Sequence, residues 1–488
     1  MSVTKRQIGV LDTTLRDAHQ CLWATRMSTA HMLPVADKMN RCGFVGAELM
    51  GMVHFDASLR FLQEDPFERI RLMSSRMPAT PLQGFVRSRC LRSFNPLPDD
   101  VNSLFVERMI ANGMRRIIGF DGLHDWSNIL GSLRTARRLG AYVTVWLIYT
   151  IAPGYTDEYY AGKAAEILKL FDPDAIVIED PSGLLTPDRV RTLVPAIRGA
   201  IGTKTLEFHT HCLTGLGPLV TLEAAKAGVD VVTTSIAPLA NGNAPPACQT
   251  VVRNLQAAGF NLPVDLDLVD EIGEHFAQVA EREGKPVGVP AEYDRSHYKH
   301  QTAGGVLSNL VSQLRDVGAE HRLPEVLEEC ARVREDLGWP IIVTPFAQFV
   351  ATQAAMNVLH GMRYTVVPDE VKKYVLGYYG KLPFPVKPDA MDRIVENGSK
   401  AISLTPPALE PVVPKLQAKY PNLSDDERVL RFLFPDEQVD AMLAAQPKEH
   451  GFSVEHPLVE LVQGAARRRI GRVHVQHGTT TLSITART

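Results

Sequence analysis

What most constrains this chain is a repeat of short apolar runs separated by longer amphipathic stretches. Eight such runs fall before residue 290: Ile8–Asp12, Gly46–Met50, Leu82–Arg87, Arg116–Phe120, Tyr142–Tyr149, Ala175–Asp180, Thr205–His211 and Val229–Ser235. Runs of this length read as buried strands, and the stretches between them as crossover helices. Repeated βαβ units build a parallel sheet, and eight of them in about 250 residues are what a closed (β/α)8 TIM barrel requires. The predicted fold class is therefore α/β, with a TIM barrel over residues 1–290. A mainly helical domain is expected over 291–403, where Leu323–Leu337 and Phe346–His360 carry helical periodicity. From 404 to 488 the proline-rich Leu404-Thr-Pro-Pro-Ala-Leu-Glu-Pro-Val-Val-Pro414 reads as an extended connector to a less regular tail, with Arg467–Arg469 as a solvated turn.

Charge and cysteine usage narrow the chemistry. A net charge of -3 gives no general attraction for nucleic acid or anionic lipid. Cys21, Cys42, Cys90, Cys212, Cys248 and Cys330 show no paired spacing, so neither a disulfide framework nor a cysteine zinc site is expected, and a reducing cytoplasm fits. No stretch supplies the ~20 apolar residues of a membrane span, and no signal peptide is read at the start. Small-molecule chemistry is what remains.

In a barrel of this kind the chemistry sits at the carboxyl ends of the strands. Polar residues gather there: Asp17, Glu48, Arg87, Asp121, Tyr149, Glu179, Asp180, His209, His211 and Asn243. The first run passes directly into a turn holding Asp12, Arg16, Asp17, His19 and Gln20, a loop suited to a cation and an anion together. In Phe208-His-Thr-His-Cys212 the two imidazoles are two residues apart and so share one face of a strand. Asp17, His209 and His211 are the expected ligands of a divalent metal, of a donor set that suits Zn, Mn, Co or Fe. The competing reading of any single residue here is a polar strand end facing solvent.

LDTTLRDAHQ, Leu59–Ile70, HTHC, Gln301–Asp316 and Val343–Ala354 together resemble the carboxyltransferase family. That family includes the alpha subunit of oxaloacetate decarboxylase, the central subunit of transcarboxylase and the carboxyltransferase domain of pyruvate carboxylase. The resemblance spans roughly residues 5–440 and implies transfer of a carboxyl group between biotin and a 2-oxo acid such as pyruvate or oxaloacetate. It implies a metal held by Asp, two His and a carboxylated Lys, with Asp17, His209 and His211 matching three of these. Arg87 matches the arginine that binds the substrate carboxylate, which a planar guanidinium grips with two parallel hydrogen bonds. Arg16 and Gln20 match residues that hold the keto acid beside the metal. A metal on the keto oxygen would stabilise the enolate left by loss of CO2 or of a methyl proton. A homodimer is also implied.

This chain departs from the family at two positions. Glu179, in Val177-Ile-Glu-Asp-Pro-Ser-Gly183, stands where the family has its carboxylated lysine. Its carboxyl carbon lies three bonds closer to the backbone, which at about 1.2 Å per bond is expected to leave it roughly 3 to 4 Å short of the ion. Asn243, in Ala240-Asn-Gly-Asn-Ala-Pro-Pro246, stands where the family has a threonine that shuttles a proton between biotin and pyruvate. A carboxamide has no proton to give or take near neutral pH. The Gly-Asn-Ala segment also resembles the metal-binding Gly-Asn of the hydroxymethylglutaryl-CoA lyase and isopropylmalate synthase superfamily, which makes Asn243 a candidate metal ligand; a turn asparagine is the alternative. His54, in Gly51-Met-Val-His54, replaces a glycine-rich loop and is expected at the barrel rim, and Ile118 replaces an arginine.

No Ala-Met-Lys-Met biotinylation segment occurs in the sequence, so biotin, if used, is expected on a separate carrier protein. The expected catalytic residues are Arg16, Gln20, Arg87, Asp121, Tyr149 and Glu179, and the expected metal ligands Asp17, His209, His211 and Asn243. The leading expectation is a metal-dependent carboxyltransferase or decarboxylase. The alternatives are a biotin-independent carbon–carbon lyase or aldolase using the same metal, and a degenerate scaffold subunit of a carboxylase assembly.

Overall fold

The computed structural model describes residues 5–92, 94–302, 304–445, 472–477 and 480–485. The eight apolar runs become eight strands: β1 (Gly9–Asp12), β2 (Gly46–Met50), β3 (Leu82–Arg87), β4 (Arg116–Phe120), β5 (Tyr142–Ile148), β6 (Ala175–Asp180), β7 (Thr205–Thr210) and β8 (Val231–Thr234). They pair in chain order, all parallel, and β1 bonds to both β2 and β8, which closes the barrel. Almost every strand residue is buried, because the interior is filled by the strands' own side chains and the outside is covered by helices. Some of the runs extend a residue or two beyond the strands they form. His211 lies just past β7, yet its N–H still reaches the Asp180 carbonyl at 3.2 Å, so it continues the line of the strand.

The crossover helices begin where the sequence places capping residues. Asp65 accepts the Phe67 N–H ahead of Pro66–Arg76, Thr186 accepts the Arg189 N–H ahead of Pro187–Ile201, and Asp265 accepts two N–H groups ahead of Leu266–Glu283.

Helices Leu323–Asp336 and Phe346–His360 contribute to a second hydrophobic core, with Val326, Cys330 and Val333 buried among Phe346, Phe349, Val350 and Tyr374. Arg334 ties this helical region to the barrel, donating to the Ile151 carbonyl at 3.0 Å and to Thr150 Oγ1 at 2.7 Å.

The tail differs from the expectation. Residues 406–412 carry no regular secondary structure, but Val413–Lys419, Asp425–Leu433 and Asp436–Ala444 are helices. Val429, Leu430, Leu433, Phe434, Val439 and Met442 join the barrel's own hydrophobic core, and Asp426 pairs with Arg108 at 2.7 Å. Prolines ended the apparent regularity of the sequence without ending the packing. Strands Arg472–His477 and Thr480–Thr485 form an antiparallel pair, while Arg467–Arg469 lies outside the described residues. All six cysteines are free, and among the described residues no helix is long and apolar enough to cross a membrane.

Candidate active site

The carboxyl ends of the strands open into a cavity of about 410 Å³. Arg16, Asp17, Gln20, Arg87, Glu179, His211 and Asn243 line it from the barrel, and Ile342, Thr344 and Gln348 line it from the helical domain.

Four donor groups converge beside it. Asp17 Oδ2 lies 3.2 Å from His209 Nε2 and 3.0 Å from His211 Nε2, while Glu179 Oε2 lies 3.7 Å from His209 Nε2. Asp17 Oδ2, Glu179 Oε2 and His209 Nε2 are buried and have no hydrogen-bond partner. The opposite edges of three of these groups are held. His211 Nδ1 donates to the Asn243 main-chain carbonyl at 2.6 Å, and His209 Nδ1 pairs with Thr233 Oγ1 at 2.8 Å. Arg16 grips the far oxygen of Asp17 at 3.0 Å. Both imidazoles thus turn Nε2 toward the shared point, the arrangement found around metal-ligating histidines. Donors around a four-coordinate ion at about 2.0–2.2 Å lie about 3.3–3.6 Å from each other, a range the observed separations bracket. Buried donors left without partners cost stability unless something completes them, so the residues present fit a divalent cation.

Electrostatics mark three of the same groups. Burial opposes the charged form of Asp17, but Arg16 and His211 outweigh it and hold the carboxyl well below its usual range. Burial lifts the Glu179 carboxyl well above its usual range. Burial disfavours a charged His211, yet Asp17 overrides this and raises the imidazole's pKa.

Arg16 also connects the site to the barrel interior. It donates to Glu48 Oε2 at 2.7 Å; Glu48 Oε1 accepts from Gln83 at 3.1 Å; Gln83 accepts from Arg116 at 2.7 Å; and Arg116 pairs with Glu207 at 2.6 Å. All five side chains are buried. Arg16 therefore sits in a buried ionic chain as a holder of Asp17.

Arg87 is a different kind of cation. It donates to the Cys90 and Leu91 carbonyls at 2.9 and 3.1 Å, and no carboxylate pairs with it among the described residues. A buried guanidinium at a cavity wall without an acid is suited to an anionic ligand. Gln20 Oε1 is likewise buried and unpartnered at the cavity wall.

Other expected residues are placed elsewhere. Asp121 accepts from the Leu123 and Asp125 N–H groups at 2.8 and 3.0 Å and from Asn128 at 3.1 Å, so its carboxylate is committed to folding its own loop. Tyr149 stacks on Tyr160 with centroids 5.7 Å apart, and burial pushes its hydroxyl up to about 12. Neither lines the cavity. His54 is fully buried, not at the rim: Nε2 donates to the Arg16 carbonyl at 2.9 Å and Nδ1 accepts from Gly51 N–H. Asn243 is exposed, and its main-chain carbonyl makes the contact to His211.

Glu179 departs most from expectation. It does not fall short of the donor cluster, because β6 and β7 pair Glu179 with His209 in register. The two side chains leave adjacent positions on the same barrel face, so the convergence point lies at their own level.

The sequence did not reveal the apolar wall. Trp146 stacks on Phe120 and His209, with centroids 5.4 and 5.8 Å away, and Phe85 carries Arg16 4.9 Å above its ring. Cys21 Sγ lies 3.7 Å from Asp17 Oδ1. Gln348 could have been noticed as the polar residue in Phe346-Ala-Gln-Phe-Val-Ala, an otherwise apolar helical segment.

Comparison with known proteins gives this geometry a family. A family model described as a conserved carboxylase domain matches residues 298–482. The chain is 37% identical over 470 residues to a pyruvate carboxylase subunit of Methanocaldococcus jannaschii, covering 93% of this chain and 82% of that one. It is 33% identical to the methylmalonyl-CoA carboxyltransferase 5S subunit of Propionibacterium freudenreichii, covering 88% of this chain and 86% of that one. The carboxyl transferase domain of Rhizobium etli pyruvate carboxylase, solved with oxamate and biotin, superposes with a TM-score of 0.83 at 26% identity, over 90% of this chain and 78% of that one. The chain belongs to the carboxyltransferase family that these proteins represent, enzymes that transfer carboxyl groups.

Proposed function

We propose that this protein is a metal-dependent carboxyltransferase or decarboxylase acting on a small 2-oxo acid of the pyruvate or oxaloacetate type, with biotin delivered on a separate carrier protein. The observation that carries this reading is one cavity bordered both by a cluster of metal-type donors whose buried atoms lack hydrogen-bond partners and by a buried arginine that no carboxylate pairs with among the described residues. A 2-oxo acid has a keto oxygen for the first and a carboxylate for the second. Relatives named for pyruvate carboxylase and methylmalonyl-CoA carboxyltransferase support it.

A divalent ion held by Asp17, His209 and His211 would act as a Lewis acid on a keto oxygen where negative charge develops. The remaining roles fall to the chain itself. Arg87 would grip the carboxylate, and Gln20 would orient the acid from the β1 loop. Phe85, Phe120 and Trp146 keep that wall dry, which strengthens each charge interaction. Arg16 fixes Asp17 through its own hold on Glu48. Thr344 is the one hydroxyl among the described lining residues; its Oγ1 accepts from Gln348 Nε2 at 3.1 Å, which leaves its proton free to face a substrate.

The test is carboxyl exchange by the purified protein with oxaloacetate or pyruvate and a biotinylated carrier. Turnover that needs the carrier and is stopped by avidin supports the proposal; carrier-independent cleavage of oxaloacetate removes biotin from it. One observation favours the second outcome: Asn243 supplies a carboxamide where a proton relay to biotin needs a hydroxyl. In that case the protein is a biotin-independent carbon–carbon lyase using the same metal.

A further inference from the structure

Asp17, His209 and His211 provide three donors, and the geometry points to the fourth. Glu179 is 4% exposed, and its Oε2 is buried without any hydrogen-bond partner. That oxygen lies 3.7 Å from His209 Nε2, and the ligating atoms of Glu179, His209 and His211 all fall within 4.8 Å of one another. The β6–β7 register sets Glu179 directly beside His209, so the contact is built into the barrel and does not depend on a loop. The rival donor, Asn243, is exposed and contributes its main-chain carbonyl to His211 Nδ1.

We infer that Glu179 is the fourth protein ligand of the divalent ion, so that the donor set is Asp17, Glu179, His209 and His211, complete as encoded and needing no chemically modified side chain. This rests on the metal reading above. Two carboxylates match the charge of a divalent cation, and the contact each imidazole makes at Nδ1 leaves its Nε2 as the edge turned toward the ion. It follows that metal retention is indifferent to CO2 and bicarbonate.

The test reads metal content and spectrum, independent of turnover. Purified full-length protein is loaded with Zn2+ or Co2+ and dialysed in buffer stripped of CO2. One equivalent of metal should remain, and the Co2+ absorption spectrum should not change when bicarbonate is added. E179Q should bind metal more than about 100-fold more weakly, since even partners outside the ligand sphere are worth 10–100-fold. N243A should bind as the unaltered protein does, and E179K should recover metal only with bicarbonate present. Unaltered affinity in E179Q, or metal loss from the unaltered protein when CO2 is removed, overturns the inference and leaves the metal site standing. Failure of the unaltered protein to hold any metal overturns the metal reading itself. The CO2-stripping measurement uses no variant, so it stands if E179Q does not fold.

Discussion

The ends of β6 and β7 and the ends of β4 and β5 look alike in sequence and behave oppositely in the structure. Glu179 and His209 at the first pair, with Asp17 opposite, leave donor atoms buried and unpartnered. Asp121 and Tyr149 at the second pair are committed to their own surroundings: Asp121 folds the loop of residues 121–128, and Tyr149 packs into a cluster of tyrosines. A polar residue at a strand end is therefore a site candidate only when its hydrogen-bonding capacity is left over after folding. The two arginines repeat the lesson. Arg16 is consumed by Glu48 and Asp17, whereas Arg87 has no acid.

The sharpest way to break this comparison is to remove a donor from the unpartnered cluster. His209→Ala should abolish metal binding and lower carboxyl transfer by about 10³-fold or more, the scale of losing a preorganised electrostatic stabiliser, and it should also lower stability because it empties a buried site and unpairs Thr233 Oγ1. A variant that keeps its metal would show that the cluster is merely structural. Next in size is Arg87→Met. Charge-assisted hydrogen bonds are worth about 1.5–3 kcal/mol, so KM for the 2-oxo acid should rise about 10- to 150-fold with a smaller change in kcat. An unchanged KM would take the carboxylate away from Arg87.

Glu48→Gln tests the hold on Asp17 through Arg16. Metal affinity, measured by competition with a chelator, should fall about 10-fold, the lower end of what supporting partners contribute. On the other side of the comparison, Asp121→Ala should do the reverse. It strips three hydrogen bonds from a buried loop and should cost about 2–4 kcal/mol in denaturant unfolding, with metal content unchanged.

At pH 7 the last effect is the smallest, because it shows only as the pH falls below neutrality. His124 accepts the Ile148 N–H on Nε2 and contacts the Tyr159 hydroxyl through Nδ1 at 3.1 Å, so its charged form is excluded; burial pushes its pKa down to about 3. The unfolded chain takes up a proton near pH 6.5 that the folded chain refuses until about pH 3. The stability this ring contributes is complete above pH 6.5 and is lost as the pH falls toward 3. His124→Gln should flatten that limb of the unfolding free energy against pH, and an unchanged slope would place the titration elsewhere.

Much of the molecule was legible in one dimension. The eight strands fall where the apolar runs fall because a strand buried on both faces has to be apolar along its length. The pairing of His209 and His211 followed from alternation alone. The packing of the helices over 413–444 onto the barrel was not legible, since proline-rich stretches break local periodicity without limiting long-range contact. His54 was misplaced at the rim for a related reason: burial of an imidazole depends on acceptors such as the Arg16 carbonyl, 38 residues away in sequence.

By itself, then, the sequence determined the barrel, because eight buried strands follow from local apolar runs, and it raised Asp17, His209 and His211 as candidate metal ligands, because those residue types in that spacing have few alternative uses. Only the tertiary structure decided which polar strand ends were left unsatisfied and how far Glu179 had to reach. Side-chain length gives a reach from the backbone, but the register between β6 and β7 sets where that reach begins, and register is a relation between strands that neither strand carries alone.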